Sequence, residues 1–258
     1  MNRRILIATL IAGALFLIGR TVFAADSLPT PDAIMNRYIE VTGGKKVYDA
    51  RKSEIAHGRL EYTAIGIKGT ITRYAAVPDF YYASLDIEGL GKVEMGVNKG
   101  IAWENSAVLG PRVKTGEERG EAIREAVLDS TVGWRRLYPK AETVGTETID
   151  GEECYKVVMT PPEGQPLNRF FQKKSGLEVK TTTIGVTQMG EIPIELMVSD
   201  YKNLGGILTP ARVTQKAGGQ EFTIIMESIE ANPPIPVSRF DLPAEVQALV
   251  AKGAAAAK

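Results

Sequence analysis

The chain has 258 residues, 44% of them hydrophobic and 24% charged, enough to bury a sizeable core and too balanced for a fibrous or disordered protein. Its 31 Lys and Arg are matched by 31 Asp and Glu, so no basic surplus points to nucleic acid. A single Cys, Cys154, and a single His, His57, exclude an intrachain disulfide, a cysteine-rich zinc module and any site needing two histidines.

The first 24 residues read as an export signal: Arg3 and Arg4 precede an apolar run from Ile5 to Gly19, and Val22-Phe23-Ala24 offers small residues for cleavage after Ala24. That run is shorter than the roughly 20 residues a membrane-spanning helix needs. The rest of a twin-arginine pattern is missing, so the general secretory route is expected. No Cys follows the run, so no N-terminal lipid anchor is expected. The mature protein, 25–258, is expected to be soluble, mildly acidic and periplasmic, and to form a single domain, since no Pro, Gly or Ser linker divides it.

Thr30-Pro31-Asp32 predicts a helix start, with a capping hydroxyl, a proline that loses no bond in the first turn, and an acid at the positive end of the dipole. Ile34, Tyr38 and Val41 make one stripe, and Gly43-Gly44 ends the helix at Thr42. A short second helix is expected over 45–51. From Ser53 the pattern alternates, predicting strands at 53–63, 66–77, 80–87, 91–97 and 100–105. Ile65, Ile67 and Ile71 share one face of the second strand, and Val93, Met95 and Val97 one face of the fourth. Thr115-Gly116-Glu117-Glu118 has the spacing of a capping box and opens a helix of about three turns carrying Ala122, Ile123, Ala126 and Val127 on one side. A helical turn with Trp134, Leu137 and Tyr138 is expected within 129–139. Strands resume at 141–149, 152–161, 167–173, 177–188, 191–203, 207–217 and 220–230, with hairpin turns at Asp150-Gly151, Ser175-Gly176, Gly205-Gly206 and Gly218-Gly219. An extended Pro-rich stretch follows Asn232, then a helix over 244–251 and a frayed tail over 253–258.

The fold class is mainly β (α+β): a large curved antiparallel sheet covered by the N-terminal helix and the inserted mid-chain helix. About a dozen antiparallel strands cannot stay flat, and the curled sheet must cover its apolar face, close it, or leave a cavity. Ile67, Ile71, Tyr81, Leu85, Met95, Trp103, Met159, Phe171, Leu196, Ile224 and Met226 are the large residues expected to point inward. Such side chains fill a core or line a cavity, and the shortage of helices favours a cavity. Met95, Met159, Met197 and Met226 could adapt to a flexible ligand or plug gaps.

Candidates for chemistry are few. His57 alternates with Ile55, Arg59 and Glu61 on the polar face of its strand, and Cys154 alternates with Lys156 and Val158 as a small buried hydrophobe or unpaired thiol would. The carboxylates Glu117, Glu118 and Glu121 suit a helix N-terminus, and Arg135-Arg136 and Lys173-Lys174 suit solvated faces or anionic contacts. No phosphate loop, metal-spaced acidic loop or nucleophile elbow occurs. The expectation is a non-enzymatic protein without cofactors.

Five patches and one order of elements carry a resemblance: Val41-Thr42-Gly43-Gly44, Gly66-Ile67-Lys68-Gly69, Ala102-Trp103-Glu104-Asn105, Met189-Gly190-Glu191-Ile192-Pro193, Phe240-Asp241-Leu242-Pro243, and the order signal, helix, strands, helix, strands. In these the chain resembles the LolA/LolB-like superfamily of exported lipoprotein carriers, of the outer-membrane lipoprotein-sorting type. The resemblance implies an incomplete β-barrel with a helical lid and an apolar cavity sheltering acyl chains. It implies a carrier or binder of lipid or lipidated protein that meets membrane-associated donor or acceptor proteins, with no nucleic-acid partner. The alternative is a periplasmic protein-binding or sensor module of the same fold that does not transport lipid.

Overall fold

A computed structural model describes residues 27–62, 64–187 and 190–256. The expected export signal, and Met189 of the patches above, lie outside the described residues. Helix α1 spans Pro31–Thr42: Thr30 Oγ1 accepts from Ala33 N at 3.2 Å, and Gly44 N donates to Ile39 O at 2.8 Å across Gly43, whose φ of +147° disfavours a side chain. Helix α2 is Lys45–Ala50. Helices α3, Gly116–Ala126, and α4, Trp134–Leu137, form the mid-chain insertion.

The expected capping box does not form. Thr115 occupies the cap position without a side-chain bond, and both oxygens of Glu118, which the box would turn back to the Thr115 backbone N–H, accept from Arg112 instead, at 2.6 Å each. A bidentate charge-assisted pair outcompetes a neutral backbone donor, and it holds the Glu118 carboxyl below the usual carboxylate range. The last helix, α5, runs over Ala244–Ala256 rather than ending at 251. The alanines after Gly253 propagate a helix at little cost, and they outweigh the roughly 1 kcal/mol that one interior glycine costs.

The strands are β1 Ser53–Tyr62, β2 Ile67–Ala76, β3 Phe80–Ile87, β4 Gly91–Asn98, β5 Ile101–Ser106, β6 Gly110–Val113, β7 Lys140–Ile149, β8 Glu152–Thr160, β9 Leu167–Gln172, β10 Glu178–Thr187, β11 Gly190–Leu204, β12 Ile207–Ala217 and β13 Gln220–Ala231. Strand β6 was not expected; at four residues with Pro111 it has too little alternation to read, and proline suits a sheet edge. All are antiparallel to their neighbours in one 13-stranded sheet of order β6-β5-β4-β3-β2-β1-β13-β12-β11-β10-β9-β8-β7. The chain walks from the centre to the β6 edge, crosses through α3 and α4 to the β7 edge, and walks back until β13 pairs with β1.

The sheet curls without closing. Helix α3 touches β4 and β5 on one side and β10 on the other. In a flat sheet β4 and β10 would stand about 34 Å apart, twice the roughly 16 Å length of an 11-residue helix. The edges β6 and β7 do not pair, and the inserted helix occupies the space between the two arms. Helix α1 packs on the arm formed by β8 and β9, where Ile34, Met35 and Tyr38 meet Val157, Met159, Phe171 and Trp134. The opposite face of the other arm is covered by the C-terminal segment: Asn98 Nδ2 donates to Phe240 O at 2.8 Å, and α5 lies against β6.

Candidate functional site

Residues paired across antiparallel strands share a face, so the register traces the concave surface. Arg169 of β9 reaches Met35 Sδ of α1 at 3.7 Å, which marks that face as the inner one. From it the row continues through Thr181, Leu196, Gln215 and Phe222. Two residues beyond Phe222, Ile224 pairs with Leu60 of β1, and Gly58 beside it pairs with both Met226 and Ile71. Ile71 then pairs with Leu85, Leu85 with Val93, and Ala83 with Met95. The row ends where Tyr81 and Val97 pack against Ala122 and Ala126 of α3.

Ten of the eleven inward candidates face this concavity. Seven of them, Ile67, Ile71, Leu85, Met95, Leu196, Ile224 and Met226, are only half-buried, and the helix-packed clusters do not include them. They form a band of aliphatic and thioether side chains across the central strands. Met159 and Phe171 face inward too, but they are fully buried beneath α1. Tyr81 stands at the polar end described below. Trp103 is the correction. It pairs with Gly96 and neighbours Tyr82 on the opposite face, where a Cβ at residue 96 would come within 2.8 Å of its indole. Both faces of β5 are buried, Ala102 toward α3 and Trp103 away from it, so size gave no guide to direction. Met197 also turns away, into a cluster with Cys154, Phe170 and Val179.

The end of the concavity beside α2 is polar. Buried Glu54 of β1 accepts from Arg51 Nη1 at 3.1 Å and from Arg73 Nη2 on β2. Arg51 also donates to Gly205 O at 2.7 Å, tying the β11–β12 turn to the cluster. These side chains, with Tyr81, Glu125, Ser130, Thr131 and Ile229, line a cavity of about 180 Å³. Glu125 projects from α3, exposed toward the cavity, and makes no hydrogen bond or ion pair among the described residues. Desolvation by the surrounding protein, and then Glu121 one turn away, push its carboxyl above the usual carboxylate range. Glu121 is pushed up by burial as well. Glu117, Glu121 and Glu125 share one side of α3 and border a second cavity of about 130 Å³ with Tyr138 and Thr183.

The remaining candidates have structural partners. His57 is exposed on the outer face beside Thr72 Oγ1, at 3.2 Å. Cys154 is fully buried, and desolvation raises its thiol pKa, which disfavours the thiolate. Arg135 pairs with Asp32 and stacks on Trp134; Arg136 pairs with Asp129 at 2.8 Å and Lys173 with Glu153 at 3.3 Å. Among the described residues, no group of three His, Cys, Asp or Glu is placed to hold a metal ion, and no helix is long and apolar enough to cross a membrane.

Sequence reasoning missed the charges on the inner face: Arg51, Glu54, Arg73, Glu125, and the buried pair of Arg169 and Glu178 under Tyr38 and Phe171. A signal existed. Glu54 is in phase with Ala56 and Leu60, and Arg73 with Ile71 and Ala75, so each is a charge on the apolar beat of its strand.

No family model and no curated protein matches the chain. Solved structures do. A DUF1329 family protein from Desulfovibrio piger aligns over 83% of this chain and 98% of its own, at 15% identity and a TM-score of 0.56. A LolA superfamily protein from Nitrosomonas europaea aligns over 83% and 99%, at 11% identity and a TM-score of 0.55. At these identities the likeness speaks to architecture. The open, curled sheet of this chain, with its N-terminal helix and the helical insertion between its arms, aligns with nearly the full length of both, and this chain has the LolA-like fold.

Proposed function

We propose that the protein is an exported, non-catalytic carrier or binder of lipid or lipoprotein acyl chains, held along the apolar band of the concavity. The observation that carries this reading is the half-buried row Ile71, Leu85, Met95, Leu196, Ile224 and Met226, on a surface that a closed core would have filled. Leaving an acyl chain in water costs about 0.8 kcal/mol per methylene, so a water-borne carrier must hide it, while a bilayer competes on nearly equal terms and lets it go. A band without directional bonds suits that exchange. Exposed Ile65, Leu90, Val108 and Leu109, on three hairpin tips at one end of the sheet, add an apolar rim.

Native mass spectrometry with lipid extraction, on mature protein purified from the periplasm without detergent, tests the reading. Acyl species in stoichiometric amounts are expected. A clean unliganded mass that persists after incubation with lipid vesicles would overturn it in favour of a protein-binding module.

A further inference from the structure

The concave surface changes character along a single strand. On the inner face of β2 the sequence runs Ala75, Arg73, Ile71, Gly69, Ile67, so one cation stands at the head of an apolar track about 20 Å long from residue 73 to residue 67. Arg73 spends one N–H on Glu54, its Nε is shut away from solvent without a partner, and the rest of the guanidinium has no protein partner among the described residues. An arginine carries five donors in a planar fork matched to carboxylate and phosphate. Here most of that fork is unused.

The local charge also favours an anion. Arg51 and Arg73 share one carboxylate, Glu54, which leaves one positive charge over. Tyr81 lines the same cavity, and burial raises its pKa, so its hydroxyl stays a donor. The nearest acid without a partner, Glu125, is pushed toward its neutral form by its surroundings and so opposes an anion less than a free carboxylate would. The cavity of about 180 Å³ exceeds by several times the roughly 30 Å³ share of one water, leaving room for a small headgroup.

We propose that this polar end is a headgroup subsite: Arg73 and Tyr81 bind the oxyanion, carboxylate or phosphate, of an amphiphile whose acyl chain lies on the Ile71 and Leu85 track. This rests on the carrier reading above, and names the ligand class within it.

The test compares three probes with the same chain on mature protein: oleate, oleyl alcohol and 1-oleoyl lysophosphatidate, by calorimetric titration. The anionic probes are expected to bind about tenfold or more tighter than the alcohol, the scale of one charge-assisted hydrogen bond. Arg73→Gln should cost the anionic probes most of that preference and the alcohol, whose oxygen accepts only a weaker bond, much less. Tyr81→Phe, which keeps the Glu54 pair intact, should cost them a smaller factor. A preference for oleate alone assigns a carboxylate head, and for lysophosphatidate alone a phosphate. Equal affinity for all three probes in the wild type, or a folded Arg73→Gln protein that keeps the preference, would overturn the subsite while leaving the carrier intact. Binding of none of them would overturn the carrier reading itself.

Discussion

Two inward-facing residues of one sheet separate packing from binding. Phe171 is 1% exposed, its ring centroid lies 5.5 Å from that of Tyr38, and the Arg169 guanidinium sits 5.1 Å from it. Phe171→Ala removes the centre of that cluster and is expected to cost about 3–5 kcal/mol, a large share of a typical domain's stability. Ile71 is half-buried, with Leu85 beside it and Gly58 opposite. Ile71→Asp forfeits about half of a full isoleucine burial, roughly 1 kcal/mol, because its carboxylate can stay wet. The same change should strip two or three methylene contacts from a bound chain, roughly 2 kcal/mol or about 30-fold in affinity. Urea unfolding gives the first quantity and lipid extraction the second. If Ile71→Asp destabilises as much as Phe171→Ala, or folds and carries lipid as the wild type does, the division of the concave face into packed and open halves is wrong.

Three further outcomes follow from the same geometry. Glu54→Gln leaves buried Arg51 without its counter-ion while Arg73, 36% exposed at its side chain, can turn to water, so a loss of about 3 kcal/mol in urea unfolding is expected; a change under about 0.5 kcal/mol would show that the cluster is not electrostatically closed. Gly96→Val drives a side chain into the indole of Trp103, itself 1% exposed, and should destabilise by about 1–3 kcal/mol with an altered near-ultraviolet circular dichroism band; an unchanged spectrum and midpoint would place Trp103 elsewhere. Glu125 has a raised folded pKa, so the stability it contributes is complete below its ordinary value of 4.5 and is lost as the pH rises through the folded value. Glu125→Gln should therefore flatten the fall in thermal midpoint above pH 4.5, and an identical pH profile in the two proteins would refute that assignment.

Local chemistry was legible in the sequence wherever it is self-contained. Thr30, Pro31 and Gly43-Gly44 set both ends of α1 without outside help, and the paired turn residues Asp150-Gly151, Gly205-Gly206 and Gly218-Gly219 all adopt the positive φ their types favour. Twelve of the thirteen strands follow from alternation between such turns, since a strand with one wet face shows its period in its own residues. What failed depended on a partner distant in the chain or the sheet. The Glu118 carboxylate pairs with Arg112 rather than with the Thr115 backbone N–H, and Trp103 points to the side of the sheet that the C-terminal segment covers. The polar end of the site was only half legible: Glu54 and Arg73 stand on the apolar beat of their strands and Arg51 is three residues from Glu54, but only the β1–β2 register brings Arg73 to the same carboxylate. The sequence by itself determined twelve of the strands, the paired turns, both ends of α1 and the apolar residues of the inner face. Only the tertiary structure decided which of those apolar residues stay half-buried and where the charges gather, because curvature and register are properties of the whole sheet.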